Sequence, residues 1–385
     1  MESRARVLKA LRHEQTDRIP IDLGGLQSGI HIRAYKKLLN FLDMEEDIEF
    51  TDAIQYTAKP SQLVLDRIHA DVGYLYLKDS IMPEHFEFQI SDDGIYRGIK
   101  DQFGVFWGED RSKPRSEILY LDPVGFPLAD CKTPNDVHDF DWPDGTDLKP
   151  FRSLGERAIE LRRRKVAIST PPMANTYEYT NFLFGFTRSL VLFRKKPEII
   201  VAAMQELVKY WKDYIQTFYD SVNGNVDIIC INGDLSEQAG PIMNPAIYRK
   251  YVKPLDKEIA DFVKDLGNLR INYHSCGSVV EFIPDFIDIG YDAINPVQLG
   301  AYQMELDFLK EKFGDEIAFW GGLCKTEILA FGSPEDVKKE VERNVKIFGK
   351  DGGYVGANIH NITAEVPPEN IIAMFDTAYE TGRNL

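Results

Sequence analysis

The sequence is short of cysteine, of positive charge and of long apolar runs, and each shortage excludes something. Four cysteines among 385 residues cannot build a disulfide framework. A reducing compartment is expected, with the thiols left for other chemistry. Lysine and arginine total 45 against 61 aspartates and glutamates, a formal net charge of −16. That balance supplies no basic footprint for nucleic acid and disfavours anionic membrane surfaces. No uninterrupted apolar stretch reaches the roughly 18 residues of a membrane helix. The opening Met1-Glu2-Ser3-Arg4-Ala5-Arg6 carries no hydrophobic signal core, so a cytoplasmic location is expected. No Gly-x-Gly-x-x-Gly follows a strand-like run, so a dinucleotide-binding fold lacks its main signature. There is no internal repeat and no low-complexity segment.

What the chain does have is the material of a large core: 44% of its residues are hydrophobic, 12% aromatic and 28% charged. Helices are expected over 3–13, with Ser3 as N-cap, and over 197–219. The second carries Ile200, Met204, Leu207, Val208, Trp211, Ile215 and Phe218 as one apolar stripe behind Pro197. Asn244-Pro245 starts a helix reaching to about 265. Ser333-Pro334-Glu335-Asp336 reads as a capping box ahead of a helix stopped by Gly349, and a last helix runs from Pro367-Pro368-Glu369 to near Gly382. Between these lie eight short apolar runs of strand length, 18–23, 72–77, 165–170, 226–232, 269–273, 292–296, 317–320 and 353–357. Runs apolar on both faces, alternating with amphipathic helices, imply parallel strands buried on both sides. Eight such units favour an α/β fold of the closed (β/α)8 type, a TIM barrel with an N-terminal helical extension.

One connection is too long for a crossover helix. Residues 86–90 and 95–99 alternate on either side of Asp92-Asp93-Gly94, a hairpin signal. Residues 1–385 are therefore expected to form one barrel domain with an antiparallel excursion at about 80–150 after the second strand, covering one end of the barrel. Its aromatics, Phe86, Phe88, Tyr96, Phe103, Phe106 and Trp107, either pack the excursion down or sandwich a planar substrate.

In such a barrel, reactive groups gather at the C-terminal ends of the strands. Those ends run into Gly233-Asp234-Leu235-Ser236-Glu237, His274-Ser275-Cys276-Gly277, Gly321-Gly322-Leu323-Cys324 and Asn358-Ile359-His360-Asn361. His274 and Cys276, two apart at a strand end, share a face. Cys324, from the next strand but one, is expected to reach the same point across the barrel mouth. Two thiolates and an imidazole suit Zn²⁺, and three protein ligands leave the fourth position open, as in a catalytic site. The bland reading is that the cysteines are small buried hydrophobes, as Cys131 and Cys230 are expected to be.

These elements resemble the uroporphyrinogen decarboxylase superfamily, and within it the zinc-dependent, corrinoid-linked methyltransferases. The likeness runs from Thr16-Asp17-Arg18-Ile19-Pro20 through Trp142-Pro143-Asp144, Gly240-Pro241-Ile242-Met243-Asn244-Pro245 and His274-Ser275-Cys276-Gly277 to Gly321-Gly322-Leu323, His360-Asn361-Ile362 and Val366-Pro367-Pro368-Glu369-Asn370-Ile371. It implies a (β/α)8 barrel with zinc on His274, Cys276 and Cys324. The decarboxylase branch clamps its polyanionic tetrapyrrole with an arginine-rich N-terminal stretch. Here residues 21–31 hold no arginine, and the first is Arg33.

The resemblance therefore implies methyl transfer from a small methylated substrate, an aryl methyl ether being the expected case, to the Co(I) corrinoid of a partner protein. Cobalamin is expected to arrive on that corrinoid protein, because no Asp-x-His-x-x-Gly motif is present. The alternatives are methyl transfer in the opposite direction onto a coenzyme M-like thiol, a metal-free decarboxylase on the same barrel, and a non-catalytic binder. Supporting roles are expected for Asp234 and His360 in catalysis, and for His31, Trp107, Tyr273 and Glu237 in substrate binding, with Glu237 also a candidate fourth ligand. The oligomeric state stays open, a homodimer included.

Overall fold

A computed structural model describes residues 1–25, 27–77, 88–114, 117 and 119–385. Seven parallel strands form one curled sheet. In spatial order they are Tyr354–Val355, Ala318–Trp320, Ala293–Asn295, Arg270–His274, Ile228–Asn232, Ala167–Met173 and Val72–Tyr74. The gap between the first and the last is filled by the segment around Ile21. Ile21 bridges Gly356 in parallel, Gly356 N donates to Pro20 O at 2.9 Å, and Asp71 N donates to Ile21 O at 2.8 Å on the other side. All eight apolar runs therefore take the positions of a (β/α)8 barrel. The segment at Ile21 makes only a bridge because Pro20 has no N–H to donate and Gly24 turns away at φ 123°.

Strand alternation sorts the side chains into two layers. Ile228, Ala293, Ala318, Trp320, Val355 and Ala357 pack inside the barrel with Val7 and Leu11 of the first helix. The N-terminal helix Ser3–Ala10 thus plugs the end opposite the site. The expected cap at Ser3 is not formed; Glu2 occupies the N-cap without a side-chain hydrogen bond, and Ser3 is the first helical residue. The helix Pro197–Ser221 has Pro197 in its first turn, as expected. The Ser333 capping box is present, with Ser333 Oγ accepting from Asp336 N and the Asp336 carboxylate accepting from Ser333 N.

The excursion is a four-stranded antiparallel sheet, Gln89–Ile90, Tyr96–Lys100, Phe106–Asp110 and Asp122–Gly125, in that order. Its first hairpin turns at Gly94, whose φ of 72° suits a residue without a side chain. Phe86 lies outside the described residues. A second small sheet, of Ile30–His31, Thr57–Ala58 and Phe50–Asp52, has no counterpart in the sequence reading. Its strands are two or three residues long, too short for alternation to register. Among the described residues, no helix is long and apolar enough to cross a membrane.

Candidate metal centre and substrate cavity

Strand register assembles the centre. Asn232, His274 and Asn295 are direct partners across three adjacent strands, so their side chains line up on one inward face at the strand ends. The ladder then continues one step, with Gly233 N donating to His274 O at 3.0 Å and Ser275 N to Asn295 O at 2.8 Å. Beyond it the His-Ser-Cys-Gly turn is clamped on each side. Ser275 Oγ accepts from Leu235 N at 3.0 Å, Asp234 Oδ1 accepts from Cys276 N at 2.8 Å, and Gly277 N donates to Gln298 Oε1 at 2.6 Å. Gly277 is required here, because φ is +85° and a Cβ would lie 2.5 Å from Glu237 O.

The outcome is a cluster of three ligand-type atoms. His274, Cys276 and His360 offer an imidazole nitrogen, a thiol and a second imidazole nitrogen, all within 4.8 Å of one another. His274 Nδ1 is 2.6 Å from Asn295 Oδ1, which can only accept through that atom, so Nδ1 carries the proton and Nε2 keeps its lone pair. Nε2 lies 3.5 Å from Cys276 Sγ. Fixing the tautomer through the outer nitrogen is how proteins orient a metal-ligating histidine.

Burial tunes the same groups. It pushes His274 down to about 4, against the opposing Asn295 hydrogen bond, and His360 down to about 4, reinforced by His274. Both imidazoles are therefore neutral near pH 7, the form that binds metal. The Cys276 thiol is pushed well up by burial and by the neighbouring Asp234 and Glu178. A bound divalent cation reverses that preference, since a coordinating thiol loses its proton. Two neutral imidazoles and one thiol thus fit a borderline-soft cation such as Zn²⁺ with an open position.

Cys324 does not join this cluster. It is fully buried at 1% exposure, and its thiol is pushed up to about 12 by burial and by Glu340. The physical reason lies in its turn. Gly321 and Gly322 take φ of 118° and 72°, and Asn344 Nδ2 pins Gly322 O and Leu323 O at 3.2 and 3.1 Å. The charge that raises its thiol, Glu340, lies on the helix Pro334–Phe348, which also carries Asn344. His360, expected among the catalytic residues, stands where Cys324 was expected to complete the set.

Above the centre opens a cavity of about 740 Å³, within the size range of small-molecule sites. His274, His360, Asp234 and Asn232 form its floor. Trp107, Tyr179, Phe182, Tyr210 and Trp211 form an aromatic wall. The excursion supplies Ile99, Asp101, Gln102 and Trp107, and so covers the mouth as expected. Trp107 stands edge-on to Phe182 at 4.9 Å and donates Nε1 to Asp101 Oδ2 at 2.8 Å. The same carboxylate oxygen accepts from Tyr179 OH at 2.5 Å, which ties lid to barrel helix. Phe103 serves packing, tilted against Tyr179 at 4.6 Å and edge-on to Tyr210 at 4.8 Å.

Three expected substrate contacts are absent from the lining. His31 instead caps the helix Ile32–Phe41, its Nδ1 accepting from Arg33 N at 3.1 Å. Tyr273 falls on the outward face of its strand because His274 beside it faces inward; its ring stacks on Tyr291 at 4.6 Å and its hydroxyl donates to Gly233 O. Glu237 is exposed on the small ladder Ser236–Glu237 with Gly240–Pro241.

Asp234 does line the floor, its Oδ1 3.9 Å from His274 Nε2. Its neighbour Glu178 is a residue the sequence reading passed over. Glu178 begins a helix just past the strand Ala167–Met173, accepts from Asn175 Nδ2 at 2.6 Å and lines the same cavity. Burial first, and then the charge of Asp234, pushes the Glu178 carboxyl up, and burial does the same to Asp234. The strand-end rule applied to this strand would have found Glu178. The apolar run ends at Thr170, whereas the strand continues through Pro171-Pro172 to Met173.

A barrel with ligand-type side chains at its strand ends and a lidded cavity above them is the class of protein that fold and site define. The sequence profile described as Uroporphyrinogen decarboxylase (URO-D) matches residues 180–381, more than half of the chain. The protein belongs to the uroporphyrinogen decarboxylase family. Curated relatives include the uroporphyrinogen decarboxylase of Aromatoleum aromaticum, 25% identical over 150 residues, which are 38% of this chain and 40% of that protein. The enzyme of that name from Herminiimonas arsenicoxydans is 30% identical over 110 residues, 27% of this chain and 28% of its own. The alignments thus span less than half the length of these relatives. Among solved structures, a methyltransferase from Methanosarcina mazei matches with a TM-score of 0.64 at 15% identity, covering 99% of both chains. That likeness is one of fold.

Proposed function

We propose that this protein is a metal-dependent methyltransferase that moves a methyl group from a small methyl ether, an aryl methyl ether in the first instance, to the Co(I) corrinoid of a partner protein. The observation that carries the reading is the trio His274, Cys276 and His360, of which the two histidines line the floor of an aromatic cavity. Tetrapyrrole decarboxylation is the activity in the relatives' names, but among the described residues no lysine or arginine lines this cavity to pair with a polycarboxylate.

The three side chains would hold a Zn²⁺ whose Lewis acidity polarises the ether oxygen. The remaining tasks fall to the chain itself. Trp107 and Phe182, in edge-to-face contact, offer one apolar wall for a planar ring to lie against and, with Tyr179 and the lid, exclude water from the floor. As the methyl carbon is taken up by the attacking nucleophile, the carbon–oxygen bond breaks and both its electrons stay on the oxygen. The phenolate then takes a proton. Glu178 and Asp234, two adjacent buried carboxyl groups that resist ionising together, hold a proton at the cavity surface for that purpose.

The test is to incubate the purified protein with a Co(I) corrinoid protein and a panel of methoxyaromatics, methylamines, methanol and methylthiols. Methyl-Co(III) absorbance is expected with the methoxyaromatics, together with about one zinc per chain by elemental analysis. Methyl donation from methyl-Co(III) to an added thiol, with no ether alkylating cobalt, would reverse the direction.

A further inference from the structure

The charge of the cavity narrows the donor further, on the methyl-transfer reading above. Among the described residues its lining holds six carboxyl groups, Asp52, Asp101, Asp144, Asp147, Glu178 and Asp234, and neither lysine nor arginine. Gln27 lines it as well, at 8% exposure, and its Nε2 donor finds no partner among the described residues. A buried amide N–H left unpaired calls for an acceptor on whatever fills the space.

Three classes of methyl donor meet these features differently. A quaternary ammonium suits aromatic faces and carboxylates, but it has no lone pair to offer an open metal position and no acceptor for Gln27. A carboxylated methoxyarene has the lone pairs, yet brings a further negative charge among six carboxyl groups that no lysine or arginine of the described residues offsets. An uncharged methoxyphenol has an ether oxygen for the floor, an acceptor for Gln27, a hydroxyl to donate to a carboxylate, and a ring for the aromatic wall. We propose that the cavity selects an uncharged methoxyphenol over both its carboxylated counterpart and a methylated cation.

The experiment uses the full chain and three probes, 2-methoxyphenol, 4-hydroxy-3-methoxybenzoate and tetramethylammonium, with binding read by calorimetry and turnover by methyl-Co(III) absorbance. The expected result is binding of 2-methoxyphenol about tenfold or more tighter than the benzoate. That gap should narrow with added salt, and also in the double variant Asp144→Asn, Asp147→Asn, which removes two exposed charges at the rim. Equal or tighter binding of the benzoate, tighter binding of tetramethylammonium, or binding of none of the three overturns the proposal. If 2-methoxyphenol is preferred in binding but never alkylates cobalt, the methyl-transfer reading fails while the selectivity stands.

Discussion

On the floor of the cavity, polar side chains stand where strand register puts them. On its wall, aromatic side chains stand where the packing of helices and lid leaves them. Asn232, His274 and Asn295 are locked by ladder hydrogen bonds between neighbouring strands. Trp107, Tyr179 and Phe182 come from a four-stranded excursion and a helix, joined by the Asp101 carboxylate and by ring contacts. The contrast teaches that the two halves of the site answer to different perturbations. The floor is all-or-none, because a metal ligand or its orienting partner cannot be replaced by filling space. The wall is graded, because apolar area and ring contacts are lost in increments.

The largest effect should come from the floor. Cys276→Ser and His360→Ala are each expected to lose bound zinc and about 10³-fold or more in methyl transfer with the fold kept, by elemental analysis and circular dichroism. Cys324→Ser is expected to retain the metal while lowering Tm, since it places a polar atom in a fully buried spot. Retention of zinc in His360→Ala and its loss in Cys324→Ser would exchange the two residues' roles. Asn295→Ala, at a residue that would reach a bound metal only through His274, should weaken zinc binding about 10–100-fold in a competition titration with a chelator.

On the wall the expected effect is smaller and of another kind. Trp107→Ala should raise KM about tenfold, lower kcat less, and lower Tm by several degrees, because it vacates part of the cavity lining and the partner of Phe182. A loss of kcat with KM unchanged would mean that the wall, too, acts at the reacting atoms.

The smallest effect concerns the helix behind the wall. Asp256 is buried, accepts from Thr176 Oγ1 at 2.7 Å and Tyr248 OH at 3.1 Å, and is pushed up to about 7 by that burial. A carboxyl raised in the folded state contributes stability that is full below its unfolded pKa and is lost as pH rises through the folded value. The difference in Tm between Asp256→Asn and the parent should therefore shift in favour of the variant, by a few degrees, from pH 4 to pH 8. A difference that stays constant with pH would show that Asp256 is ionised in the fold.

Much of this was legible before the structure. All eight strand runs, the helix starts at Pro197, Asn244 and Ser333, and the Asp-Gly hairpin depend on local chemistry: apolar periodicity, capping side chains and a residue tolerant of positive φ. His274 and Cys276 were legible for the same reason, since two residues on one strand end share a face wherever the strand goes. Trp107 was found because a hairpin rich in aromatics had to cover something. The misassignments have a common cause. His31, Tyr273 and Glu237 carry suitable chemistry, but a helix cap, an outward strand face and a solvent-facing ladder absorbed them. Their direction was decided by neighbours distant in sequence.

The amino-acid sequence by itself determined the barrel, the place of its lid and the pair of ligand-type side chains that sit two residues apart, because each rests on interactions within a few residues of chain. Only the tertiary structure decided that His360 joins His274 and Cys276 while Cys324 stays outside the trio, that Glu178 stands beside Asp234, and that among the described residues acidic groups line the cavity without lysine or arginine. Those outcomes depend on segments hundreds of residues apart meeting at one end of a closed sheet, where backbone turns pinned by remote hydrogen bonds set each side chain's direction.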